Sequence, residues 1–226
     1  MSTKPKILYL HGLGSGPRSE KGRLVQEYFS SKGYEVSLPS ITVPSLPRLS
    51  PKAAIDLVAG EVRAGRGQDL IVMGSSFGAF VALHALDSLA PNERDHVVRM
   101  VLLAPALNPW DPRSGLLTPE RERLWREVGS APVVDIETGK EVAVHYQFVE
   151  ELRTLDSYAV QPSVPVLIIH GVDDEVVPAS QSQEFASSRA GVALELVQDT
   201  HQLLKNPTKM LESIERFILS DSTDSR

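Results

Sequence analysis

A serine hydroxyl is a poor nucleophile at neutral pH, and it attacks an acyl carbon only when an adjacent base takes its proton. This chain of 226 residues holds a serine suited to that chemistry in Gly74-Ser75-Ser76-Phe77-Gly78. The pentapeptide has the form G-x-S-x-G, and it joins an apolar run, Leu70–Met73, to a stretch with apolar residues at helical spacing, Ala79–Leu89. A sharp strand-to-helix turn of this kind exposes the serine hydroxyl. Glycines flank it because the turn leaves no room for side chains. Ser76 is the candidate nucleophile.

Histidine suits the role of base because its ordinary pKa lies near 6.5. Six are present: His11, His84, His96, His145, His170 and His201. The turn around Ser76 resembles that of α/β-hydrolases, and the resemblance implies that an acid and then a histidine follow on loops after later strands. Only His145, His170 and His201 leave room for that order. His201 lies in Gln198-Asp199-Thr200-His201-Gln202, a polar loop just after the last strand candidate, and is the candidate base. The loop after the preceding strand reads His170-Gly171-Val172-Asp173-Asp174-Glu175-Val176-Val177-Pro178. Its three adjacent carboxylates repel one another unless solvated or paired, and a histidine that becomes charged during turnover would pair one of them.

Attack on a carbonyl creates an oxyanion that needs donors fixed in advance. The backbone N–H of Phe77 follows the nucleophile at a helix N-terminus, where the dipole helps. A second donor, Leu13 N–H, comes from the loop His11-Gly12-Leu13-Gly14-Ser15-Gly16-Pro17. That loop is not a dinucleotide site. The pattern G-x-G-x-x-G would need glycine where Pro17 stands, and no acidic residue ends the second strand at Leu38-Pro39.

These residues need elements to position them. Strands are expected at Lys6–His11, Glu35–Leu38, Leu70–Gly74, Val97–Ala104, Val164–His170 and Ala193–Val197. Helices are expected at Arg18–Lys32, Pro51–Ala64, Phe77–Ser88, Pro178–Ser188 and Pro207–Leu219. Ser50-Pro51 is a helix-start signal, a cap followed by proline at the first helical position. Continuous apolar strands such as Val166–Ile169 imply a parallel sheet covered on both faces. The alternation gives an α/β fold, a doubly wound, mostly parallel six-stranded sheet. One segment, about 105–163, is too long for an ordinary connection. It suggests helices around Pro119–Val128 and His145–Leu155, with a hairpin of Val133–Ile136 and Glu141–Val144 between them. We read it as a lid-like insertion over the carboxyl edge of the sheet, with Trp110, Trp125 and Phe148 lining a substrate pocket.

Composition narrows the partners. A net charge of −6 disfavours nucleic acid, which needs clustered Lys and Arg. Arg121, Arg123 and Arg126 are interleaved with Glu120, Glu122 and Glu127 and read as a solvated helix face. With no cysteine there is no disulfide and no thiolate metal site, which suits a cytoplasmic address. No span approaches a membrane helix, and Met1–Lys6 is too short and polar for a signal peptide. The partner expected is a small-molecule acyl ester or thioester, with no cofactor and no metal.

Taken together, Tyr9-Leu10-His11-Gly12, the pentapeptide around Ser76, His170-Gly171-x-x-Asp174-x-x-Val177-Pro178 and Thr200-His201 resemble the α/β-hydrolase superfamily. The resemblance implies a serine hydrolase and puts the acid of its H-G-x-x-D-x-x-V-P block on Asp174. The start Tyr-Leu-His-Gly-Leu-Gly-Ser-Gly-Pro-Arg-Ser resembles small YqiA-type bacterial esterases. The insertion, with Trp125 and Tyr146-Gln147-Phe148, is similar to the acyl-protein thioesterase and acyl-glucuronide esterase branch. The superfamily's N-terminal hairpin has no counterpart before Lys6, so a minimal six-stranded version is expected. A peptidase or amidase of the same fold, or a non-catalytic binding protein, remains open at this point.

Overall fold

In the computed structural model, which describes residues 4–109, 111, 114 and 117–220, six parallel strands form one sheet. In chain order the strands are β1 (Lys6–Leu10), β2 (Val36–Ser37), β3 (Leu70–Ser75), β4 (Val97–Leu103), β7 (Val166–Gly171) and β8 (Val192–Val197). Their order across the sheet is β2-β1-β3-β4-β7-β8. The chain winds outward from the middle in both directions, which is the doubly wound arrangement. The sheet is fully parallel.

Side chains alternate between the faces along each strand, and the two faces bury separate sets. Ile7, Tyr9, Ile71, Met73, Val101, Leu103, Leu167 and Ile169 face helices α1 (Glu20–Ser31) and α7 (Pro207–Leu219). Leu8, Leu10, Val72, Met100, Leu102 and Ile168 face α2 (Pro51–Ala64), α3 (Phe77–Ser88) and α6 (Ala179–Ser187). Because both faces are covered, β3 is apolar along most of its length and buried throughout. Helix α3 is buried from Phe77 to Leu86, as a helix apolar all round must be.

The 105–163 segment supplies α4 (Pro119–Val128), the antiparallel hairpin β5 (Ser130–Asp135) and β6 (Lys140–His145), and α5 (Gln147–Leu152). Helix α4 starts on the Thr118 side chain, which accepts from Arg121 N–H, and stops at Gly129, whose φ of 82° lets its N–H reach the Trp125 carbonyl. Trp125 is its buried residue, and Arg121, Arg123, Arg126, Glu120 and Glu127 form a solvated face, with Arg123 and Glu127 paired at 3.1 Å. Glu122, by contrast, is mostly covered and accepts from Arg153 and the Tyr146 hydroxyl. The strand pairs in the hairpin extend beyond the expected range at the outer ends, because Ser130–His145 continues the ladder. Helix α5 is shorter than expected, but it closes on the sheet domain: Glu151 accepts from the Ser50 hydroxyl at 2.5 Å and from Lys52 N–H, at the start of α2. No helix among the described residues is long and apolar enough to cross a membrane.

Candidate active site

Ser76 sits at the turn from β3 into α3 with φ 54° and ψ −115°, a positive-φ conformation that costs a residue with a Cβ on the order of 1–3 kcal/mol. The neighbouring glycines make the turn possible. A Cβ on Gly74 would lie 2.4 Å from the Gly78 carbonyl oxygen, and one on Gly78 would lie 2.3 Å from that of Leu10. The Ser76 N–H donates to the Leu103 carbonyl at 2.9 Å, which ties the turn to β4.

The loops after β7 and β8 meet this turn at the carboxyl edge of the sheet. His201 Nε2 lies 3.0 Å from Ser76 Oγ, and His201 Nδ1 lies 2.7 Å from Asp174 Oδ2. Residues far apart in sequence thus form one hydrogen-bonded line. Asp174 has a fully buried side chain, and every oxygen of it is satisfied. Its Oδ1 accepts from Val176 and Val177 N–H at 2.9 and 2.8 Å. Its Oδ2 also faces His170 Nε2 at 3.1 Å. Burial pushes the carboxyl upward, but hydrogen bonds from His170 and His201, the His201 charge and the Val177 amide outweigh it and hold it well below the usual range. Asp174 is therefore a carboxylate at neutral pH.

The other two acids of the run go elsewhere. Asp173 pairs with Lys205 at 3.2 Å on the surface, and Glu175 is exposed. His145 is exposed in the hairpin, away from this line of residues, and His11 and His84 are occupied elsewhere. His11 Nε2 accepts from Ile41 N–H, its Nδ1 faces the Gly12 carbonyl, and burial holds its pKa down. His84 packs 4.4 Å from the Phe80 ring, bonds Ser157, and is pushed down to about 4 by burial.

Several supporting residues were not legible in the sequence. His170 Nε2 faces two acceptors, Asp174 and the Val177 carbonyl, so it carries the proton, and Nδ1 accepts from the Ser182 hydroxyl at 2.7 Å. Gly171 is needed because a Cβ there would lie 2.3 Å from the Asp199 carbonyl oxygen. Buried Asp199 in turn accepts from Thr200 and Lys205 N–H and fixes the loop that carries His201. The H-G signal at 170–171 pointed to this place but not to these contacts.

Two hollows border Ser76. The first is apolar, about 60 Å³, lined by Leu13, Phe77, Phe80, Trp125, Phe148 and Leu152 among others. Its aromatic wall runs from the turn into the insertion, with Phe77 5.6 Å from Phe148 and Phe148 6.0 Å from Trp125. The Trp125 indole N–H donates to the Val144 carbonyl, which fixes the ring against the hairpin. Trp125 and Phe148 thus both face the hollow, whereas Trp110 lies outside the described residues. The second hollow is about 170 Å³ and more polar than the first, lined by Ser15, Ser19, Lys21, Ser75, Ile136, His201 and Gln202 among others. Leu13 and Ser76 border both. Among the described residues, no three histidine or acidic side chains are grouped to hold a metal ion.

Solved structures share this arrangement of sheet, helices and loops. Est1E from Butyrivibrio proteoclasticus, solved with ferulic acid bound, superposes with a TM-score of 0.79 at 20% identity, over 96% of this chain and 89% of that one. Alpha/beta hydrolase domain-containing protein 10 from mouse gives 0.74 at 19% identity, over 96% and 91%. The monoacylglycerol lipase of Paleococcus ferrophilus gives 0.70 at 13% identity, over 96% of both chains. At such identities the likeness establishes the fold, that of the α/β-hydrolase superfamily. Sequence places the chain more narrowly: the pattern of Uncharacterised protein family (UPF0227) matches residues 6–218, from the first strand to the last helix, and the chain belongs to that family.

Proposed function

We propose that the protein is a serine hydrolase that cleaves carboxylic esters or thioesters through an acyl-enzyme. The observation that carries this reading is the line Ser76 Oγ, His201, Asp174, with spacings of 3.0 and 2.7 Å. Asp174 accepts a hydrogen bond from His201 Nδ1–H, stays a carboxylate, and so leaves Nε2 free to take the Ser76 proton as Oγ attacks the acyl carbon. The Leu13 and Phe77 amides hold the oxyanion that forms. His201 then gives its proton to the departing alcohol or thiol, and a water repeats the sequence to release the acid. No step calls for a metal or cofactor. The 105–163 segment acts as a lid, and its Trp125 and Phe148 select the acyl chain. A chain without cysteine suits the cytoplasm.

A fluorophosphonate probe followed by peptide mapping tests the nucleophile. The label should sit on Ser76, and Ser76→Ala should lose labelling and about a million-fold in turnover of 4-nitrophenyl butyrate, because such residues act as a unit. Labelling of another residue, or turnover retained in Ser76→Ala, would refute the assignment.

A further inference from the structure

Lys21 is a lysine in the interior, and the chemistry above gives it no task. It lies in the first turn of α1 with only 7% of its surface exposed. Its ammonium donates to Ser75 Oγ at 2.9 Å, beside the nucleophile, and to the His201 carbonyl at 3.4 Å. Both acceptors are neutral oxygens, and among the described residues it makes no ion pair. Buried lysines are ordinarily matched to a carboxylate, because an unpaired charge in a dry site is expensive. Burial drives its pKa down to about 8, against the pull of Asp174 and Asp199, and the group is still mostly charged at pH 7. The result is a cation two-thirds satisfied, at the wall of a hollow that also contains Ser76. Glu20 borders the same hollow but is exposed, so water screens it.

The two hollows differ in one wall that the chemistry makes decisive. His201 lines the polar one, whereas the residues around the apolar one do not include it. Since His201 must protonate the departing atom, the leaving group lies on the polar side and the acyl chain on the apolar side. We propose that Lys21 makes the polar hollow a binding site for an anionic group, carboxylate or phosphate, carried by the alcohol or thiol half of the substrate. The Ser15 and Ser19 hydroxyls line the same hollow and offer further donors. The substrate class is then an ester or thioester with a short apolar acyl chain and an anionic leaving group. This rests on the Ser76 reading for which half is which, while the anion site itself does not.

Matched esters test it. The wild type should hydrolyse 4-(butyryloxy)benzoate with a kcat/KM on the order of tenfold or more above that for 4-(butyryloxy)benzamide, the gain expected of a charge-assisted hydrogen bond. The butyryl ester of 4-hydroxyphenyl phosphate shows whether phosphate serves better than carboxylate. In Lys21→Met the ratio of anionic to neutral ester should fall to about one, and Lys21→Gln serves if the first variant does not fold. A wild-type ratio of one or below, or a ratio that the Lys21 variants leave unchanged, would overturn the proposal. If neither ester turns over and Ser76 stays unlabelled, the hydrolase reading has failed. Calorimetric binding of the same esters to wild type and Lys21→Met then decides the anion site: tighter binding of the anion, lost in the variant, supports it, and equal binding of the pair sinks it.

Discussion

The loops bearing Ser76, Asp174 and His201 and the 105–163 segment that faces them are held by different means. The loops are set by backbone against backbone. Hypothetical Cβ atoms on Gly74, Gly78 and Gly171 would each come within 2.4 Å of a carbonyl oxygen, so the chain passes where no side chain could. The segment's hairpin also meets backbone, with Ile136 N–H on the Gly14 carbonyl at 2.6 Å and His145 N–H on that of Pro47. Its part facing the apolar hollow, however, is set by side chains: Trp125, Phe148, Val149 and Leu152 enter the core beside α2 and α3. Contacts between backbones fix positions to a fraction of an ångström, as proton transfer needs. Contacts between side chains can be repacked at modest cost, as a changing acyl pocket needs. On the proposed reading, chemistry and selectivity would then sit on separable parts of one cleft.

The sharpest break in that comparison is a change that keeps the backbone bonds to Asp174 Oδ1 and spoils those that Oδ2 accepts from His201 and His170. In Asp174→Asn, the Val176 and Val177 amides would hold the side-chain oxygen where Oδ1 now lies, so the amide nitrogen would face His201 Nδ1. His201 would then accept at Nδ1 and carry its proton on Nε2, the wrong tautomer to deprotonate Ser76. Turnover of 4-nitrophenyl butyrate should fall by roughly 10⁴-fold while the melting temperature moves by only a few degrees. Retained activity would mean that Asp174 is structural.

The opposite signature is expected in the segment. Phe148 is 5% exposed and packs on Phe77 and Trp125. Phe148→Ala should destabilise the fold by about 3–5 kcal/mol in denaturant titration. It should also shift the preferred acyl chain in a length series towards longer esters, with the Ser76 label intact. A variant that loses labelling would place the segment inside the catalytic machinery and erase the distinction drawn here.

The same contrast explains what the sequence made legible. Helix boundaries with local chemistry were readable: α2, α4 and α7 begin at Ser50-Pro51, Thr118-Pro119 and Asn206-Pro207, where a cap and a proline stand together. The doubly wound parallel sheet followed from alternation and the rules of winding, whereas the order of its strands came only with the fold. Of the candidate site, Ser76 stood out in its pentapeptide and His201 in its loop, while Asp174 was separated from its acidic neighbours only by the resemblance to the superfamily. Residues defined by a distant partner were not. The first turn of α1, Glu-Lys-Gly-Arg, looks solvated, and only the fold reveals that Lys21 points inward at Ser75. Likewise, nothing near Gly171 announces that Asp199 will lie against it.

The smallest effect concerns the side of the cleft that belongs to neither category, since Lys21 is a side chain held at a backbone carbonyl. Its pKa is about 8 in the folded chain and near 10.4 when unfolded. Below pH 8 both states hold the proton, and the native state bears the full cost of the buried charge, about 3 kcal/mol from that difference. Between pH 8 and 10.4 the native state releases the proton while the unfolded chain keeps it. The unfolded state then binds more protons, so stability rises with pH. Urea unfolding of wild type and Lys21→Met at pH 7, 8.5 and 10 isolates this contribution, because other groups cancel in the difference. The wild type should gain on the variant by up to about 3 kcal/mol across that window. Parallel curves would mean that the ammonium is as well solvated in the fold as out of it, and the polar hollow would lose its unmatched charge.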